Sequence, residues 1–173
     1  MNIIDFYDWQ LIANREATTN AYSIFAETDK KCTCSACQNF WQVGQAIFPP
    51  DVIKLFDLLG VDWRFPGEIH HNCRLSLGKH NYGGWYHFVG SFKGEEANER
   101  IPTKMKRLEF TPWPKITAIE SYNIRLKSVN EDFRIGFSNR LAIVSSAFKG
   151  LDIVQCDFNV NNVLWELAEE EPT

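Results

Sequence analysis

At 173 residues the chain has the size of one domain, because two separate cores would each have too little apolar surface to bury. Apolar side chains make up 45% and aromatic ones 14%, enough to offset the entropy of ordering the backbone, so a single domain over residues 1–173 is expected. The 18 basic and 22 acidic residues leave a formal charge of -4, which excludes a general attraction to nucleic-acid phosphates.

The opening residues, Met1 to Asp8, carry neither the basic region nor the apolar run of a secretory signal, and no later window nears eighteen apolar residues. A cytoplasmic protein that neither spans nor crosses a membrane is therefore expected. Ile3, Asp5, Tyr7, Trp9 and Leu11 share one parity and Ile4, Phe6, Asp8 and Gln10 the other, which predicts a strand over 2–12 with an aromatic-rich face. The mostly polar residues 13–20 read as a turn, and 21–26 as a second short strand.

Ser35-Ala36-Cys37-Gln38 reads as a capping box that opens a helix, with Phe40, Val43 and Ile47 on its apolar face and Pro49-Pro50 closing it. Pro50-Asp51 opens the next helix. Its Val52, Leu55, Phe56 and Leu59 fall at i, i+3, i+4 and i+7, and Gly60 supplies a left-handed stop. After Pro66-Gly67 the pattern alternates, predicting strands near 69–77, 84–92, 105–111, 116–128, 132–138 and 151–163, with Asn81 to Gly84 as a turn. In the last strand Val154, Cys156, Phe158 and Val160 alternate with Gln155, Asp157 and Asn159, so one face is expected to be buried and the other wet. Lys93 to Thr103 reads as a surface loop, and the acidic stretch from about Ala168 to Thr173 as a frayed tail. The fold class predicted is α+β, with N-terminal helices packed on one face of a mostly antiparallel sheet.

Chemistry concentrates in three places. Cys32, Cys34 and Cys37, in a C-x-C-x2-C pattern, bring together soft ligands of the kind tetrahedral zinc needs. His70, His71 and Cys73 follow about 35 residues later, and Cys73 is the fourth ligand considered. Two other readings stand beside zinc: the thiols are small apolar groups packed at a helix start, with no cofactor, or Cys37 is a thiolate stabilised by the helix dipole. Five cysteines with no export signal predict free thiols or metal ligands and no disulfide framework. Tyr82-Gly83-Gly84-Trp85-Tyr86-His87-Phe88-Val89-Gly90 gathers rings beside glycines. It reads as the core side of a strand, or as a groove in which Trp85 and His87, with His70 and His71, meet a partner protein. Lys104, Lys106 and Arg107 before Trp113 form a small basic patch, read as a solvated edge strand. Hydrolase, nucleotide-binding and zinc-protease motifs are absent from the sequence, and it marks no catalytic residue.

Cys32-x-Cys34-x2-Cys37-x-Asn39-Phe40, Leu58-Leu59-Gly60-Val61-Asp62 with Pro66 and Glu68, and Gly84-Trp85-Tyr86-His87-Phe88-Val89-Gly90 together resemble an uncharacterised family of small bacterial cytosolic proteins. The resemblance implies kinship over the middle third of the chain and transfers no activity. The function expected is that of a non-enzymatic protein-binding module, such as an immunity protein that neutralises a bacterial toxin. The alternative is a zinc-stabilised or thiol-dependent enzyme built on Cys32, Cys34 and Cys37.

Overall fold

The computed structural model describes residues 1–28, 32–101 and 121–172, with backbone alone at 98–101 and 121–124. The predicted strand at 105–111, the first part of that at 116–128, and the basic patch of Lys104, Lys106 and Arg107 lie outside the described residues.

The first segment is a hairpin instead of one strand. β1 (Asn2–Phe6) pairs with β2 (Trp9–Ala13) through Phe6 opposite Trp9. Tyr7, at φ 51, and Asp8 make the two-residue connection, and the positive φ matches the turn twist that hairpins require. Burial records the reversal: Ile4 and Phe6 point inward on the way out, and Trp9, Leu11 and Ala13 on the way back. Inward parity switches from even to odd at the turn.

Residues 15–28, expected to be turn and strand, form helix α1 (Arg15–Thr28). Asn14 caps it, its Oδ1 accepting from the Ala17 N–H at 3.1 Å. Thr18, Ala21, Tyr22 and Phe25 are its buried residues, at i, i+3, i+4 and i+7. The modest helix propensity of its threonines and asparagine is overridden by what the helix does for the sheet. β4 (Lys79–Lys93), the longest strand, pairs on one edge with β3 (Glu68–Ser76) up to Trp85 and with β2 from Gly90 onward. Helix α1 fills the gap between them. Thr18 Oγ1 accepts from the Val89 N–H, and Tyr22 Oη both donates to the His87 carbonyl at 3.0 Å and accepts its N–H. Backbone groups that would be buried unpaired are thereby satisfied.

Helix α2 (Ser35–Val43) starts where expected, yet the capping box does not form. Cys34 occupies the cap position in extended conformation and makes no side-chain cap bond. A short 3-10 turn, Gly44–Ile47, leads to α3 (Pro50–Leu59), whose Val52, Leu55, Phe56 and Leu59 are buried as predicted. Gly60 ends α3 at φ 79, where an added Cβ would lie 2.5 Å from the Arg15 carbonyl oxygen.

The main sheet is completed by β7 (Lys127–Ser128), β8 (Phe133–Ser138) and β9 (Ile153–Leu164). Strand order is β1-β2-β4-β9-β8-β7 with β3 also on β4, every pairing antiparallel, as the α+β reading requires. β5 (Asn98–Ile101) and β6 (Ser121–Ile124) make a separate two-stranded ribbon, so the predicted loop at 93–103 contains a strand. The turn placed at Asn81 to Gly84 lies inside β4; the chain reverses at Leu77 and Gly78 instead. Nor is the tail frayed throughout: Glu171 folds back to accept from the Gly78 N–H and to pair with Arg74 and His80.

Helices α2 and α3 cover one face of β4, β9 and β8. Phe40 meets Tyr82 and Phe158, Phe56 meets Tyr86, and Phe133 stacks on Phe158 at an interplanar angle of 3°. No described helix is long and apolar enough to cross a membrane.

Candidate functional site

The other face of the same strands carries a cleft of about 870 Å3. Its floor follows from register. Asp157 on β9 lies between Trp85 on β4 and Gly136 on β8, and Asn159 lies between Gly83 and Arg134. The glycines let neighbours lean over the sheet: His70 closes on Gly83, and Leu126 with Ala97 closes on Gly136. Two walls rise around a floor of Asp157 and Asn159. Arg125, Arg134 and Arg140 stand around it, and the 139–145 loop adds the exposed Leu141.

Gln155 and Asp157 were expected on the wet side of β9, but both are buried. The 139–145 loop and Phe148 cover this end of the open face: the Ala142 N–H donates to Gln155 Oε1 at 2.6 Å, and Phe148 lies 5.7 Å from the His87 ring. Gln155 Nε2 in turn donates to Asp157 Oδ1 at 2.7 Å. Asp157, only 5% exposed, has no partner for Oδ2 among the described residues. Burial pushes its carboxyl up to about 6, and the bond from Gln155 pulls the other way. It is the one acidic side chain among the described residues that line the cleft.

The four residues expected to meet a partner separate. His70 and Trp85 line the cleft, and Trp85 Nε1 donates to the Ile143 carbonyl at 3.2 Å. His87 is 1% exposed, so its ring presents no surface to a partner. Burial pushes its imidazole down to about 4, and its Nε2 has no partner among the described residues. His71 sits elsewhere, its Nε2 2.9 Å from Nδ1 of the fully buried His80, whose Nε2 is 2.9 Å from Glu171 Oε2. Burial, and next the nearby His80, hold the His71 imidazole below its ordinary range.

The thiols of Cys32, Cys34 and Cys37 converge: their sulfurs all lie within 4.8 Å of one another, and those of Cys32 and Cys34 are 3.4 Å apart. Zinc bound by thiolates at about 2.3 Å in a tetrahedron spaces its sulfurs by roughly 3.8 Å. The donor set therefore fits a thiophilic metal ion. Cys73, exposed on β3, is not in the group, and Cys156 is buried in β9. The electrostatics also differ from expectation. Burial, then bonds with Cys32 and Cys34, push the Cys37 thiol up, whereas the Cys34 backbone N–H, then bonds with the Cys34 and Cys37 thiols, pull Cys32 down. The thiol held closest to thiolate is the exposed Cys32, not Cys37 in the first turn of α2.

Sequence reasoning missed Arg125, Arg134, Arg140, Gln155 and Asp157. A local signal existed only for the last two, as polar residues alternating within an apolar strand; the arginines are brought together by β8 and its flanking segments. Compared with known proteins, the chain matches no family model, no curated protein and no solved structure.

Proposed function

We propose that this chain is a non-enzymatic protein-binding module whose recognition surface is the cleft on the open face of the sheet. One observation carries the reading: a half-buried Trp85, the exposed Leu141, and Arg125, Arg134 and Arg140 surround the same cleft. Tryptophan and arginine dominate the energetics of protein interfaces because each covers a large area and keeps directed hydrogen bonds. A toxin-neutralising immunity protein of bacterial cytoplasm is the form of module that suits a compact chain of charge -4. Affinity capture from the native host with the full chain is expected to recover one stoichiometric partner, with Trp85→Ala losing most of it. Capture of no partner by the wild-type chain, or equal capture by both, overturns the proposal.

A second reading, a zinc-stabilised or thiol-dependent enzyme, is favoured by the convergence of the three sulfurs. Zinc is the ion proposed, with Cys32, Cys34 and Cys37 as its protein ligands. Elemental analysis of the purified chain is expected to find near one zinc per chain, falling sharply in Cys37→Ser. Metal-free protein with unreactive thiols removes this reading.

A further inference from the structure

The cleft combines two features that constrain what enters it. In a chain of net charge -4, three guanidinium groups gather around one opening: Arg125 from the segment before β7, Arg134 from β8 and Arg140 from the loop that follows. Arg125 also pairs with Glu95 at 3.4 Å. At the floor, Asp157 Oδ2 is buried with no donor among the described residues, while Oδ1 is taken by Gln155. Such an oxygen is costly unless a donor reaches it.

A cationic ligand would satisfy Asp157 and be repelled by the arginines. An anion without donors would do the reverse. An acidic polypeptide segment meets both demands, because side-chain carboxylates form bidentate pairs with guanidinium groups and every non-proline residue brings an N–H. The flank of Trp85 with exposed Leu141 gives such a segment an apolar contact.

We propose that the cleft takes an acidic extended segment of a partner protein, its carboxylates on Arg125, Arg134 and Arg140 and one of its N–H groups on Asp157 Oδ2. This rests on the reading of the cleft as the recognition surface.

The probe is an acetylated, amidated octapeptide of Glu, Asp and Leu, titrated calorimetrically against the full chain at low salt. Lysine-substituted peptide, inorganic phosphate and ribose 5-phosphate are run in parallel. The acidic peptide is expected to bind and the lysine peptide not. Affinity should fall at least tenfold in Arg134→Glu/Arg140→Glu, fall several-fold in Asp157→Asn, and weaken with added salt. Both arginines are exposed, and unchanged thermal unfolding of the double variant confirms that binding alone is altered. No binding of the acidic peptide at millimolar concentration, equal binding by the double variant, or binding of the phosphates in place of the peptide overturns the inference. Capture of the native partner separates the two levels. If Trp85→Ala loses it and the arginine variant keeps it, the cleft reading stands and the acidic segment falls; if neither variant matters, both fall.

Discussion

β4, β9 and β8 present two faces made of adjacent residues, and the faces obey different rules. Toward the helices, Tyr82, Tyr86, Phe88, Phe133, Phe137 and Phe158 are at most 2% exposed and pack ring against ring. One residue away, Asp157, Gln155 and His87 are nearly as buried, yet two of the three retain an unpartnered polar atom among the described residues. Equal burial thus has opposite meanings. On the first face it is the source of stability; on the second it is an energetic cost, which a fold tolerates where a ligand has something to gain.

The largest test of that contrast removes a ring from the helix side. Phe158→Ala takes away the partner of Phe40, Phe48, Tyr86 and Phe133, and is expected to cost about 3–5 kcal/mol in chemical denaturation. A loss under about 1 kcal/mol would mean this face is not the core.

The open face should respond with the opposite sign. Burial raises the Asp157 carboxyl from an ordinary 3.8 to about 6, so the folded chain holds this proton more tightly than the unfolded one. Stability from this group is greatest below 3.8 and is lost as pH rises to about 6. At pH 7.5 the charge is fully buried, and Asp157→Asn is expected to stabilise the protein by up to about 3 kcal/mol, read as a raised Tm. A lowered Tm would show that the carboxylate is satisfied and that the contrast between faces is false.

His87 sharpens the same comparison. Its folded value, about 4, lies below the ordinary 6.5, so it opposes Asp157: stability present above 6.5 is lost as pH falls toward 4. In the wild-type chain the two slopes nearly cancel between pH 4 and 6. With Asp157→Asn the opposing slope is gone, and His87 acts in the same sense as His70 and His71, which burial also lowers, so unfolding free energy should decline on acidification through that range. A flat profile in that variant would remove His87 from the account.

The smallest effect belongs to the mouth. Arg134 is exposed, and Arg134→Ala should shift stability by less than about 0.5 kcal/mol. A larger loss would make it structural and weaken its assignment to recognition.

Local pattern sufficed where one element carried its own instructions. α3 was legible because Pro50 opens it, Gly60 closes it and four apolar residues mark one stripe. β8 and β9 were legible from alternation, and the sulfur cluster from spacing, since three cysteines within six positions at a helix start have little room to separate. α1 was not legible, because Thr18 and Tyr22 are held by the open edge of β4, nearly seventy positions away. The β1–β2 hairpin was hidden because Tyr7 is not a residue that advertises a positive φ.

What the sequence determined by itself was the class: two helices ahead of a long run of strands, antiparallel pairing, the aromatic core and the grouped thiols, all of which follow from short-range periodicity and spacing. What only the tertiary structure decided was the cleft. Its acid, its arginines and its walls come from β4, β8, β9 and the segments flanking β8, and register alone sets Trp85, Asp157 and Gly136 in one row. The physical reason is that periodicity tells which way a side chain points from its own strand, whereas a site depends on which strand lies beside it.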